Sequence, residues 1–300
     1  MSGMMQRLVG NETVKQALLA AMQSGRLAHS ILFCAEEGCG AGFAARCLAA
    51  DFLYPDNPEA AERVVQGKSP DVLVLEKSGA AGEIKIDDVR DVRREVYATS
   101  LSAAGRVVLV KGAHRLNASS ANALLKVMEE PPEGVMFLLT APDEASVMAT
   151  IKSRCCMYTL APVSQEECEQ EVRRLVPDGQ DVPALCRAFG GRIGSVLRAL
   201  TDEDEQRVLQ SARQMMQAVA NRDEYTVLAQ AALYEKDRAG GQRLCMMLAQ
   251  LCAAELFAPQ TLTGDAAAHV VNACTQAQRQ LAQNANAKAV WSVFGARVCL

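Results

Sequence analysis

Five short apolar runs separated by helical segments constrain this chain more than any other feature. They read HSILFC at 29–34, DVLVL at 71–75, RVVLV at 106–110, VMFLLT at 135–140 and MYTL at 157–160. Runs this short and this apolar are the pattern of strands buried on both faces of a parallel sheet. The stretches between them place apolar residues at helical spacing. The alternation predicts α/β architecture, a parallel-sheet αβα sandwich, and argues against a helical-repeat scaffold.

The helices read as follows. At 7–25, Asn11 is an expected N-cap, Val14, Leu18, Leu19 and Met22 form the apolar face, and Gly25 suits a C-cap. Residues 55–69 are polar and read as a loop, and 77–83 as a glycine-rich loop. In 86–96, Val89, Val92 and Val96 face inward, with Arg90, Arg93 and Arg94 largely off that face. Helix 121–130 stops at Pro131-Pro132, which cannot continue it. A further helix over 145–153 delivers Ser153-Arg154-Cys155. An arginine held rigidly at the end of such a unit is a fork-shaped cation that can be aimed at a neighbour's phosphate.

The first strand runs into AEEGCGAG at 35–42 and then into a helix over 43–52. Strand, glycine loop and helix in this order frame a phosphate-binding loop, normally GxxxxGK[ST]. The chemistry is missing from the frame. With Gly40 as the second glycine, Ala41 takes the lysine position, Gly42 the hydroxyl position and Ala35 the first glycine. Gly38 and Gly40 keep the turn, while Glu36 and Glu37 add negative charge where phosphates would lie. No lysine reaches the β- and γ-phosphates and no hydroxyl holds magnesium, so triphosphate hydrolysis is not expected here.

Three hundred residues predict two or three domains. A net charge of −4 argues against a protein that grips DNA alone, so any nucleic-acid contact is local or shared. None of the eleven cysteines forms CxxC, and Cys34 with Cys39 has no second ligand pair. No metal site is expected. Residues 1–6 lack the apolar segment of a signal peptide and no run reaches membrane-spanning length, which predicts a reducing cytoplasmic setting.

The run NALLKVMEEPP at 122–132, followed by a strand and then SRC at 153–155, resembles the clamp-loader branch of the AAA+ proteins. The resemblance is strongest over 106–155, good over 8–33 and weak beyond 200. It implies that Arg154 completes a nucleotide site on an adjacent subunit, with Ser153 and Cys155 positioning the backbone. The family's third strand ends in acidic residues that hold magnesium; here those positions are Lys111 and Gly112, and Ala113-His114-Arg115-Leu116 returns to the family pattern. Thr140 takes the family's nucleotide-sensing position, and His114 reads as structural. The zinc module that family ATPases carry before the second strand is absent, since only Cys47 lies in that interval. The family's arginine at the start of the third lid helix is replaced by Gly194.

The implied architecture is an AAA+ domain over 1–161, a small helical lid over 162–203 and a helical collar over 204–300. Ser164 with Glu167 forms an expected capping box for the lid, and breaks are expected at Gly240-Gly241 and near 259–264. Trp291, Phe294 and Val298 form an apolar face suited to the core or to neighbouring subunits. Implied partners are the loader's ATPase subunits (gamma/tau) and delta subunit, with the sliding clamp and primer-template DNA reached through the complex. The chain needs no cofactor of its own, and ATP-Mg lies at the interface with the neighbour. Arg90, Arg93 and Arg94 are either a solvated surface or a contact to DNA backbone. A divergent but active AAA+ ATPase and a non-replicative AAA+ adaptor are the alternatives.

Overall fold

The computed structural model describes residues 3–78 and 82–299. The expected 77–83 loop and 1–6 segment therefore lie partly outside the described residues. The chain forms two compact units, Met1–Glu167 and Cys168–Leu300.

The first unit runs α1 (Glu12–Gln23), β1 (Ser30–Cys34), α2 (Ala41–Leu53), α3 (Pro58–Val65), β2 (Val72–Leu75), α4 (Ile86–Glu95), β3 (Arg106–Lys111), α5 (Ala118–Glu129), β4 (Val135–Ala141), α6 (Ala149–Lys152) and β5 (Cys156–Thr159). All strand pairs are parallel, in the order β2-β3-β4-β1-β5. Successive side chains of a strand point to opposite faces, and here both faces are covered. Phe137, Leu139, Val108 and Val110 pack with residues of α4 and α5. Met136, Leu138, Val107, Leu109 and Phe33 pack with residues of α2 and α3 on the other side. This is the expected αβα sandwich.

Local outcomes differ from expectation at several points. The 55–69 segment is not all loop. Asn57 accepts a hydrogen bond from the Ala60 amide (3.0 Å), Pro58 opens α3, and Ala60, Ala61, Val64 and Val65 bury its inner face. Asn11 precedes α1 but does not cap it. Its left-handed backbone turns the amide away, and the side chain instead exchanges hydrogen bonds with the main chain of Ala161 (3.1 and 2.9 Å). Helix α6 covers only four residues; before it, the Asp143 carboxylate accepts from the Ser146 amide (2.7 Å), forming a turn. Strand β5 starts one residue earlier than expected and is an exposed edge strand.

The Ser164–Glu167 capping box forms, through Ser164 N–H to Glu167 Oε2 (3.0 Å) and Glu167 N–H to Ser164 Oγ (3.2 Å). It opens α7 (Gln165–Leu175), followed by α8 (Val182–Ala188), α9 (Ile193–Thr201), α10 (Glu203–Ala220), α11 (Glu224–Ala232), α12 (Arg238–Glu255), α13 (Gly264–Ala282) and α14 (Ala287–Val298). In the second unit α8 packs on α12 and α9 on α10. Gly240 and Gly241 do not break the chain. They are buried in the first turn of α12, where a Cβ on Gly241 would stand 3.1 Å from Trp291 Cζ2, so the glycine permits close helix packing. Trp291, Phe294 and Val298 are buried in this unit's own core, with Trp291 edge-on to Phe294.

Eight of the eleven cysteines are buried. Burial pushes the thiols of Cys47, Cys245 and Cys252 up to about 12. A thiol raised in the fold ionises first in the unfolded chain, so the unfolded state binds fewer protons between the two values. Stability is then present below about pH 9 and falls as pH rises towards 12, by up to about 1.4 kcal/mol per pH unit for each such thiol. The urea midpoint under reducing conditions is expected to drop between pH 8 and pH 10.5; an unchanged midpoint contradicts this.

Candidate functional site

The phosphate-loop frame is built as a functional one would be. Gly38 and Gly40 have φ of 90° and 91°, a region that favours glycine, and Gly40 turns the chain into α2. Ala41 and Gly42 occupy the first turn, leaving neither an ammonium nor a hydroxyl there. One cation lies close by that sequence spacing does not reveal. Arg46, one turn into α2, places Nη1 3.9 Å from where a Gly42 Cβ would stand, and its Nε is buried without a hydrogen-bond partner.

At the end of β3, Lys111 forms an ion pair with Glu76 (3.0 Å), which follows β2. The end of β3 thus carries a positive charge paired with a neighbouring carboxylate. Gly112 N–H donates to Thr140 Oγ1 (3.0 Å), and that hydroxyl donates to the Val110 carbonyl (3.4 Å), so Thr140 ties β4 to β3. His114 has a partly buried ring whose Nδ1 lacks a partner; burial holds its pKa below the usual range, helped by the Arg115 charge. Among the described residues no cluster of three or more His, Cys, Asp or Glu could hold a metal ion. The first turn of α2 therefore supplies no ammonium or hydroxyl, and the end of β3 no carboxylate at 111 or 112.

Ser153, Arg154 and Cys155 are brought together at the end of α6. Cys155 packs against the core beside α5, and burial raises its thiol to about 12. It anchors the turn as an apolar plug. Arg154 Nη1 donates to the Thr150 carbonyl (3.2 Å) and to Ser153 Oγ (3.2 Å). The Ser153 hydroxyl donates to Thr150 O (3.1 Å), so serine touches the guanidinium as well as shaping the turn. Arg154 Nη2 pairs with the Glu129 carboxylate at the end of α5. The Arg154 side chain remains 37% exposed and lies on a surface rim rather than in the core.

Register places that rim relative to the glycine loop. β5 pairs in parallel with β1, Cys156 opposite Ile31. Arg154 therefore stands at the end of the sheet where β1 begins, while the glycine loop leaves from the other end, after Cys34. The strand between them, Ser30–Cys34, spans about 13 Å at 3.3 Å per residue.

The exposed face of α4 is less basic than its sequence suggests. Arg90 pairs with Asp87 (3.0 Å) and Arg94 with Asp91. Any backbone phosphate would compete with those carboxylates.

A five-stranded parallel sheet in this order, covered by helices on both faces and carrying a strand–glycine-loop–helix, is an AAA+ fold. A solved DNA polymerase III gamma subunit-related protein from Thermotoga maritima shares it, with a TM-score of 0.57 and 17% identity over 90% of this chain and 95% of that one. The family model described as DNA polymerase III, delta subunit, matches residues 10–164, just over half of the chain. The chain belongs to this clamp-loader AAA+ family of DNA polymerase III. It is 31% identical over 208 residues to DNA polymerase III subunit gamma/tau of Mycobacterium tuberculosis, covering 64% of this chain and 36% of that protein. It is 30% identical over 210 residues to subunit tau of Escherichia coli, covering 65% of this chain and 32% of that protein. The chain thus spans about a third of the length of the curated relatives it matches. Among the described residues no helix is long and apolar enough to cross a membrane.

Proposed function

We propose that this chain is a delta-prime-type clamp-loader subunit, one that hydrolyses no ATP and completes the site of another subunit. The observation that carries this reading is the placement of Arg154: exposed, at the sheet end opposite its own phosphate loop. ATP-Mg sits in the phosphate loop of an adjacent gamma/tau-type subunit. Arg154 approaches the γ-phosphate and stabilises the charge that develops as the bond to the leaving oxygen breaks. Ser153 steadies the guanidinium and Cys155 fixes the turn beneath it. The delta subunit, sliding clamp and primer-template DNA are partners through the complex, in the cytoplasm. In ATP the loader opens and places the clamp, and hydrolysis releases it.

The similarity to subunits called gamma/tau favours a second reading, an ATPase with a divergent loop. Ala41, Gly42 and the Lys111–Glu76 pair argue against it. The isolated chain is expected to release no phosphate from ATP above buffer background. Ala41→Lys with Gly42→Thr leaves it equally silent, because no carboxylate at 111 or 112 holds magnesium. Steady turnover by the purified wild-type chain rejects the proposed role in favour of the second reading. Co-purification with a gamma/tau subunit tests the partnership, and its failure points to an adaptor outside replication.

A further inference from the structure

We infer that Glu129 is an internal stand-in for the γ-phosphate, holding Arg154 in reserve until a neighbour's nucleotide displaces it. This rests on the trans role proposed for Arg154 and adds a regulatory residue to the same site. Carboxylates and phosphates are the two acceptors that match the guanidinium fork. In the chain by itself that fork is already engaged, by Glu129 on Nη2 and by Thr150 and Ser153 on Nη1. The arginine therefore lies along its own surface instead of projecting from it.

Glu129 is poorly placed with respect to the dipole of its own helix. It ends α5, where the main-chain carbonyls point outward and the helix dipole is negative, and Glu130 follows it directly. A carboxylate there is unfavourable unless a cation is close. Lys126 shares that last turn, yet the carboxylate's ion pair is with Arg154, which follows α6.

Both partners are reachable from solvent, the Glu129 side chain being 48% exposed and that of Arg154 37%. An exposed pair of this kind is weak enough to be exchanged. A triphosphate with magnesium offers more oxygens and more charge. Once it arrives the guanidinium changes partner, and a Glu129 carboxylate that stayed close would repel the phosphate. The pair thus lowers the fraction of complexes with the arginine engaged before docking is complete.

Glu129→Gln keeps the shape and removes the charge. In the reconstituted loader at saturating ATP, without clamp or DNA, E129Q is expected to raise single-turnover hydrolysis at the interface Arg154 completes roughly two- to five-fold, the range set by exposed ion pairs. The gap between E129Q and wild type narrows as salt screens the pair. In an Arg154→Ala background the same change has no effect, because it acts only through that arginine. The purified E129Q chain melts as wild type does. If Arg154→Ala slows the loader but E129Q equals or falls below wild type, the reserve role is overturned and the trans arginine stands. If Arg154→Ala leaves turnover unchanged, the trans role itself is rejected. An E129Q gain that persists without Arg154 also overturns the inference.

Discussion

Arg154→Ala is expected to slow ATP hydrolysis by about 10³-fold or more at the one interface this subunit completes, the range attributed to an arginine finger. Loader turnover as a whole falls by less, because the remaining sites keep their own partners. Single-turnover measurement with labelled ATP separates the disabled site from the rest. Arg154→Lys restores the charge but not the planar fork, and a point charge on a flexible stem recovers little of the rate. Folding is untouched. The side chain lies on an exposed rim, and its pair with Glu129 is of a kind worth at most about 1 kcal/mol. A reconstituted complex in which Arg154→Ala hydrolyses ATP at the wild-type rate at every site removes the basis of the proposed function.

Gly105→Ala has the largest expected effect on stability. Gly105 has φ of +114°, and an added Cβ would lie 2.0 Å from the Gly134 carbonyl oxygen and 2.6 Å from its carbon. Both are main-chain atoms at the point where Arg106 N–H donates to Gly134 O (2.9 Å), at the start of β3 and β4. No side chain can swing aside to make room. Backbone strain of about 1–3 kcal/mol adds to an overpacking cost of about 1–3 kcal/mol or more. The sum of roughly 2–6 kcal/mol lowers the melting point of the first unit by about 5–20 °C. Thermal unfolding followed by circular dichroism checks this. A midpoint within 2 °C of wild type would show that the two strand starts part easily.

Much of the first unit was legible because its signals are local. The runs at 29–34, 106–110 and 135–140 became β1, β3 and β4 almost residue for residue, since a strand covered on both faces must be apolar throughout. The strand, glycine turn and helix around Gly40 were equally plain, and residue identity alone puts no lysine or hydroxyl at Ala41 and Gly42. Helix α3 was missed: its buried face is two alanines and two valines among charges, and only Asn57-Pro58 announces it. The Gly240-Gly241 pair was misjudged because glycine breaks helices in isolation, yet here it lets Trp291 come close.

The sequence alone determined which segments are strands, which residues stand in the glycine loop and which arginine stood at the end of α6. Those facts depend on the periodicity and identity of neighbours along the chain, which fix a burial face. Tertiary structure decided the rest: Asn11 bound to Ala161, Lys111 neutralised by Glu76, Arg154 resting on Glu129. Each joins groups from segments set side by side only once the order β2-β3-β4-β1-β5 is formed. That order follows from packing two helical layers on one sheet, and no local pattern encodes which strand ends up beside which.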